Sequence, residues 1–245
     1  MKSLRLFLVI FAASVVLNGH GAMVLVDFST LVSGPLNKTD TGTGYIWNSV
    51  AGANFSFSNL VDSGGTSTSL SLSSSTPDNY NAVGALVTGA NSSPGPAWIG
   101  SNWISQDSLF TTTTVTLTLG GLSAGQVYNF EFFGARGNAA NPVNNNRTAL
   151  YTVTSGSSSG SANLNTSNNT NTTVNFNITA DVTGNATITM ALGTGNDSGF
   201  AYLNAMKVTA VPEPASVALV IIGGGLLLWV RLRKRSGVDA ASVLR

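Results

Sequence analysis

The sequence Thr114-Val115-Thr116-Leu117-Thr118-Leu119 alternates polar and apolar side chains without interruption. Because successive side chains of a β-strand point to opposite faces, this alternation predicts a strand with one face in a core and one in solvent. Gly120-Gly121-Leu122-Ser123-Ala124-Gly125 follows as a turn, and the chain returns through an aromatic-rich strand from Val127 to Phe133. The region therefore predicts two consecutive strands joined by a glycine-rich turn.

The same period of two recurs from Met23 to Thr209, and this region lacks helical periodicity of useful length. Polar turn signals separate the predicted strands, and no internal repeat of fixed period is visible. We therefore predict an all-β fold, with one antiparallel, jelly-roll-like β-sandwich over residues 23–209 and long polar loops. The stretch from Ser155 to Gly160, rich in serine and glycine, is predicted to be a flexible loop.

Residue types that carry much of enzyme chemistry are missing from the predicted domain. The chain has no cysteine, and its single histidine, His20, precedes the domain. This excludes a Ser-His-Asp triad, a Cys-His nucleophile, His-ligated zinc and any disulfide from the domain. A carboxylate-based, glycosidase-like enzyme is an alternative, but it needs two acids facing one cleft, and the acids here are scattered. We therefore expect a non-enzymatic protein without catalytic residues.

The distribution of charge argues against nucleic acid as a partner. The formal net charge of +1 depends on basic residues near the two ends of the chain, namely Lys2, Arg5, Arg231, Arg233, Lys234, Arg235 and Arg245. Residues 23–209 keep few basic side chains and are mildly acidic. Because they contain no basic cluster that could neutralise a row of phosphates, we expect no binding of nucleic acid.

The N-terminus has the three parts of a secretory signal peptide. Lys2 and Arg5 supply positive charge, an apolar run follows from Leu6 to Leu17, and small residues extend to Ala22. We predict that residues 1–22 direct export through the Sec machinery and are then removed.

The C-terminal region combines a proline motif, an apolar run and a basic cluster. Val211-Pro212-Glu213-Pro214 precedes the run from Ala215 to Val230, which has the composition of a transmembrane helix. The basic residues that follow predict a cytoplasmic end: Arg231, Arg233, Lys234 and Arg235. We assign residues 210–236 to the motif, the helix and the basic cluster, and residues 237–245 to a short cytoplasmic tail.

This combination resembles the PEP-CTERM sorting signal of exported proteins of Gram-negative bacteria, which exosortase recognises. The resemblance implies that the C-terminal helix anchors the protein in the inner membrane before processing. It also implies that the processed protein reaches the cell surface or the extracellular matrix of a biofilm. A single-span C-terminal anchor that is never cleaved is the alternative.

Several phrases resemble the galactose-binding-like sandwiches attached to secreted bacterial esterases and glycosidases. They include Val24-Leu25-Val26-Asp27-Phe28, Phe133-Gly134-Ala135-Arg136 and Tyr202-Leu203-Asn204-Ala205. The resemblance implies a carbohydrate-binding module acting on exopolysaccharide, which is the alternative to a purely structural protein. It also implies that Asp27 helps to bind a structural calcium ion. No other cofactor is expected. Similar sequence phrases also occur in fibronectin type III-like modules, which are an alternative to the galactose-binding-like family.

A tryptophan-containing loop is the first candidate for binding sugar. Trp98 and Trp103 offer flat apolar faces, while Asn102 and Asp107 offer polar groups for sugar hydroxyls. In the alternative, one or both tryptophans fill an end of the sandwich core. Trp47, beside other apolar residues, is predicted to lie in the core.

Two arginines form the second candidate. Arg136 and Arg147 flank a polar loop, and guanidinium groups bind carboxylates in a bidentate manner. Together they suit a uronic acid. The alternative is that they pair with Glu131 or Asp62.

A further alternative is an ice-binding protein with the same C-terminal motif. It is suggested by the threonines between Thr111 and Thr118. Along the chain, these threonines lack the repeated spacing that a match to a flat lattice needs. The high β-propensity of threonine explains their presence in a strand without any ligand.

Overall fold

The computed structural model describes residues 22–28, 36–50, 54–74, 79–81, 95–100, 107–136 and 146–212. Within these residues the regular elements are β-strands, so the predicted all-β fold is confirmed there. The same residues contain no helix that is long and apolar enough to cross a membrane. Predictions for the leader, for Asn102 and Trp103, and for the chain after Pro212 lie outside the described residues.

The described strands form three sheets. In chain order the strands are β1 (Met23–Phe28), β2 (Leu36–Thr39), β3 (Ile46–Val50), β4 (Ser56–Phe57), β5 (Ser71–Ser74), β6 (Asn79–Asn81), β7 (Ser108–Thr111), β8 (Thr114–Gly120), β9 (Val127–Phe133), β10 (Thr148–Ser155), β11 (Ser158–Asn165), β12 (Val174–Thr179), β13 (Ala186–Leu192), β14 (Ala201–Leu203) and β15 (Ala205–Ala210). The first sheet has the order β12-β9-β15-β1-β3-β2, the second β11-β10-β13-β8-β5-β4, and the third β14-β7-β6.

The core lies between the inner faces of the first and second sheets. Val115, Leu117 and Leu119 of β8 are buried there, as their alternation predicts. Phe132 of the first sheet stacks on Tyr151 of the second, with ring centroids 5.1 Å apart and ring planes at 6°. These contacts across the two layers are those of a β-sandwich.

One strand pair departs from the predicted antiparallel arrangement. β1 pairs antiparallel with β15 on one side, but it pairs parallel with β3 on the other, with Asp27 opposite Ser49. The reason lies in β2, which occupies the edge of the first sheet and pairs antiparallel with β3. The chain therefore reverses direction between β1 and β2 and again between β2 and β3. As a result, β3 runs parallel to β1.

The predicted flexible loop from Ser155 to Gly160 is wrong. β10 and β11 pair in register from Thr148 opposite Asn165 to Ser155 opposite Ser158. Only a tight turn separates them, and Gly156 in that turn has φ of +55°, which glycine tolerates without strain. The polar composition, which suggested a loop, belongs instead to a hairpin whose outer side chains face solvent.

Candidate ligand-binding site

The structure brings together the two arginines that flank the polar loop. The guanidinium carbon of Arg136 lies 5.7 Å from the ring centroid of Tyr202, and that of Arg147 lies 5.6 Å from the same centroid. Arg136 follows the end of β9, whereas Arg147 precedes β10. Both side chains are half-buried, so they are partly accessible to a ligand.

Three aromatic rings complete this site, which we call the arginine–aromatic cluster: Phe110, Arg136, Arg147, Phe200 and Tyr202. Phe110 lies opposite Tyr202 across the β7–β14 ladder. The ring centroids of Phe110 and Phe200 are 6.0 Å apart, and those of Phe200 and Tyr202 are 6.3 Å apart. Tyr202 is only 4% exposed, but Phe200 is 36% exposed and is the most accessible ring of the three.

The electrostatics of the cluster favour an anion. Burial lowers the pKa of Arg136, and the nearby charge of Arg147 lowers it further, while Tyr202 opposes these effects. Arg147 lowers the pKa of Arg136 because two neighbouring positive charges repel each other. A bound carboxylate would relieve this repulsion between the two positive charges.

Thr166 holds the main chain of both arginines. The amide of Arg136 donates to the carbonyl oxygen of Thr166 at 2.7 Å, and the Thr166 hydroxyl donates to the carbonyl oxygen of Arg147 at 2.7 Å. Sequence reasoning identified the arginines but missed Thr166, Tyr202, Phe110 and Phe200. Their proximity depends on pairing between distant strands, for which the sequence contains no local signal.

Trp98 is buried in an apolar cluster, in agreement with the alternative prediction that a tryptophan of this loop belongs to the core. It is 7% exposed and stacks on Trp47, which is fully buried as predicted, with centroids 5.6 Å apart and planes at 20°. Its indole N–H donates to Glu131 at 2.9 Å, and the Lys207 ammonium lies 5.3 Å from its ring centroid. Trp98 therefore does not present an exposed face for sugar in this structure.

Residues 95–100, which we call the covering segment, place Trp98 on the outer face of the first sheet. Trp98 and Ile99 belong to a second apolar cluster that includes Leu25 and Phe133 on that face. The amide of Gly100 donates to the buried Asp40 carboxylate at 2.6 Å, which fixes the end of the segment.

Glu131 holds this region together rather than pairing with an arginine. Burial raises its pKa, but the ion pair with Lys207 and hydrogen bonds from Thr173 and Trp98 outweigh burial, so the pKa is lowered. Asp62, the other acid considered for the arginines, accepts the amides of Gly64 and Thr66 within its own turn.

Asp27 and Asp107 are both buried. The Asp27 carboxylate accepts a hydrogen bond from the Ser49 hydroxyl at 3.0 Å. Burial raises the pKa of Asp27 well above its ordinary value; Ser49 and Lys38 oppose this, and the charge of Asp107 adds to it. The carbonyl oxygen of Asp107 accepts from the Asn204 side chain at 2.7 Å, so Asp107 belongs to the interior rather than to a sugar-binding loop.

The calcium site implied for Asp27 stays a prediction. The described residues contain no group of three or more His, Cys, Asp or Glu side chains that could hold a metal ion. Calcium takes six to eight oxygen ligands, many of which can be carbonyl oxygens or water. Asp27 would supply a carboxylate ligand of such a site.

The first residues of the proline motif lie at the end of the described chain. The amide of Val211 donates to the carbonyl oxygen of Val127 at 2.8 Å, and Gln126 donates to the carbonyl oxygen of Val211 at 2.5 Å. Pro212 is exposed. Glu213, Pro214 and the basic cluster lie outside the described residues.

A scan against protein-family models and a search of curated proteins each found no match. Among solved structures, the plant receptor-like kinase FER matches with 15% identity and a TM-score of 0.44, covering 78% of this chain and 42% of that chain. The ANXUR2 extracellular domain from Arabidopsis thaliana matches with 12% identity and a TM-score of 0.43, with the same two coverages. This chain therefore spans about two fifths of these plant chains.

A carbohydrate-binding module is also among the similar structures. TmCBM61, solved in complex with beta-1,4-galactotriose, matches with 13% identity and a TM-score of 0.26, covering 43% of this chain and 71% of that chain. At these identities and TM-scores, the similarities assign neither a family nor a ligand. The functional argument therefore rests on the side chains of this protein.

Proposed function

We propose that this protein is an exported, non-enzymatic β-sandwich that binds an acidic polysaccharide at the arginine–aromatic cluster. The observation that carries the proposal is the convergence of Arg136 and Arg147 on the Tyr202 ring, 5.7 and 5.6 Å from its centroid. Phe200 lies beside them with an exposed ring.

The chemistry of a uronic acid matches both parts of the cluster. Its carboxylate accepts paired hydrogen bonds from guanidinium groups, which are stronger than hydrogen bonds between neutral groups. Its sugar ring presents C–H groups that pack on an aromatic face such as that of Phe200. A single uronic acid residue would thus contact the arginines through its carboxylate and the aromatic ring through its C–H groups.

Export and anchoring are proposed from the two ends of the sequence. The leader supports export through the Sec machinery, and the C-terminal signal supports inner-membrane anchoring followed by processing by exosortase. The processed protein would act at the cell surface or in the extracellular matrix, where acidic exopolysaccharides occur. A matrix protein without a glycan ligand is the second candidate.

The test is calorimetric titration of the purified protein with polygalacturonate, with uncharged dextran as the control polymer. We expect binding of polygalacturonate only, and we expect added salt to weaken it. Arg136→Gln and Arg147→Gln should each weaken binding by about tenfold or more, since hydrogen bonds to charged groups contribute about 1.5–3 kcal/mol.

Lys38→Gln is the matched control, because it removes one positive charge from an exposed position on β2, the edge strand of the first sheet, and Lys38 does not belong to the arginine–aromatic cluster. Its affinity should stay close to that of the wild type. Failure of the wild type to bind polygalacturonate would reject the proposal, as would equal losses in all three variants.

A further inference from the structure

The outer face of the second sheet carries rows of hydroxyl side chains. The strand registers align one row across all six strands, consisting of Ser56, Ser73, Thr118, Thr187, Thr154 and Ser159. A second row crosses four strands and consists of Thr116, Thr189, Thr152 and Ser161. We call these two rows the hydroxyl face.

The first row of the hydroxyl face is the more accessible one, whereas Thr116, Thr152 and Thr189 of the second row are half-buried. Thr118, Thr154 and Thr187 are exposed, whereas the residues that alternate with them in the same strands are buried in the core. In a sheet, neighbouring strands lie about 4.8 Å apart, and alternate residues of one strand repeat at about 6.7 Å. The two rows therefore form a two-dimensional grid of hydroxyl and methyl groups.

The chemistry of this face excludes most kinds of ligand. None of the residues in the two rows is charged, so the face cannot neutralise an ionic polymer. None is aromatic, so it offers no ring on which a sugar could stack. It also lacks the large apolar, aromatic and arginine side chains that form the centres of protein interfaces.

The grid of hydroxyl and methyl groups is suited to binding ordered water molecules. Each threonine presents a hydroxyl group, which hydrogen-bonds to water, beside a methyl group, and its branched Cβ restricts the side-chain rotamers. The hydroxyl groups are thus held in place before a ligand arrives. The two repeats of the grid are similar in size to the repeats of water oxygens on the prism plane of hexagonal ice.

We propose that the hydroxyl face binds the surface of ice, with β8, β13 and β10 as its centre. The sequence could not indicate this grid, because the second repeat arises across strands and not along the chain. Neighbouring strands rotate by about 20–25° relative to each other, which limits the match to a few adjacent strands. We therefore expect inhibition of ice recrystallisation with only a small thermal hysteresis.

The test is a recrystallisation assay of the full chain in detergent, with the detergent buffer alone as the blank. Thr187→Tyr and Thr154→Tyr keep the β-propensity but place a bulky ring on the hydroxyl face. Each should require a concentration higher by about tenfold or more for the same inhibition, corresponding to ~1.4 kcal/mol.

Thr179→Tyr is the matched control, because Thr179 is an exposed threonine of β12 in the first sheet. It should inhibit recrystallisation as well as the wild type does. Far-UV circular dichroism and melting temperature confirm folding of each variant. A wild type no more active than the blank would overturn the proposal, as would equal losses in all three variants.

Failure of this inference would not affect the proposed glycan site, because the two sites share no residue. Arg136→Gln should retain full activity in the ice assay while losing affinity for polygalacturonate. Conversely, Thr187→Tyr should bind polygalacturonate like the wild type.

Discussion

Tyr202 is 4% exposed, yet both arginines of the cluster lie over its ring. Its carbonyl oxygen accepts the hydroxyl of the buried Tyr151, which ties it to the second sheet. Cation–π contacts contribute about 0.5–2 kcal/mol each, depending on desolvation. The guanidinium groups are therefore held on a fixed base, which reduces the conformational entropy lost when a ligand binds.

Asp27 gives a prediction for stability as a function of pH. Its folded-state pKa is raised well above 3.8, so the folded protein holds this proton at pH values where the unfolded chain has lost it. The contribution of Asp27 to stability is thus largest at low pH and falls as pH rises from about 4 through the folded-state pKa. Urea unfolding across this range should show the fall, and Asp27→Asn should reduce it.

A calcium ion bound at Asp27 would reverse the dependence of stability on pH. Because calcium binds the ionised carboxylate, stability in its presence would rise with pH, and a chelator would lower the melting temperature. Unfolding curves of the wild type and Asp27→Asn, each with calcium and with chelator, separate the two cases. A melting temperature that calcium leaves unchanged would reject the calcium site.

At the scale of elements, the covering segment depends on a close approach of two glycines. A Cβ added to Gly42 would overlap the carbonyl group of Gly100. Gly42→Ala should therefore displace the segment and expose Trp98, with a loss of about 1–3 kcal/mol in the free energy of unfolding. Urea unfolding measures the loss, and a red shift in tryptophan emission reports the exposure.

Gly64→Ala is the control for this change. A Cβ at Gly64 would lie 3.4 Å from the nearest atom outside its chain neighbours, in Asp62, which is ordinary van der Waals contact. Its effect on stability should stay within about 0.5 kcal/mol, as is usual at surface positions. Equal losses in both variants would show that the glycine contact does not hold the segment.

Local patterns predicted the strands better than their partners. β9 runs from Val127 to Phe133 as predicted, because alternation is a property of the strand itself. Ser158–Asn165 was missed, since its polar side chains and glycine favour a loop until β10 supplies a pairing partner. The parallel pairing of β1 with β3 depends on the position of β2, which no local pattern encodes.

The candidate site was predictable only in part, for the same reason. Arg136 and Arg147 stood out because basic residues are rare in the domain and guanidinium chemistry is specific. Phe200 gave no such signal, since its position beside Phe110 and Tyr202 depends on the pairing of β7 with β14. Trp98 was ambiguous because an indole serves equally as a sugar platform and as a core residue, and only its burial separates the two.

At the scale of the whole molecule, the proposed C-terminal sorting signal gives a prediction for release from the membrane. Replacing Pro212, Glu213 and Pro214 by alanine should leave the protein in the inner membrane, because the motif that exosortase would recognise is lost. Fractionation of a strain that has exosortase measures release, and the wild type in a strain without exosortase is the control. Equal release of both forms would contradict the sorting signal.

The hydrogen bonds of Val211 also bear on mechanics. Val211 is held at one end of β15, whereas Tyr202 and Arg136 lie near the other end, where Ala205 pairs with Phe133. A pull between a polymer gripped at the cluster and a tether at the C-terminus therefore runs along β15. Because β15 is bonded to β1 and β9 on its two sides, this load shears two ladders at once instead of unzipping them bond by bond. If the proposed ligand and anchor both hold, the paired neighbours of β15 would resist its extraction by force.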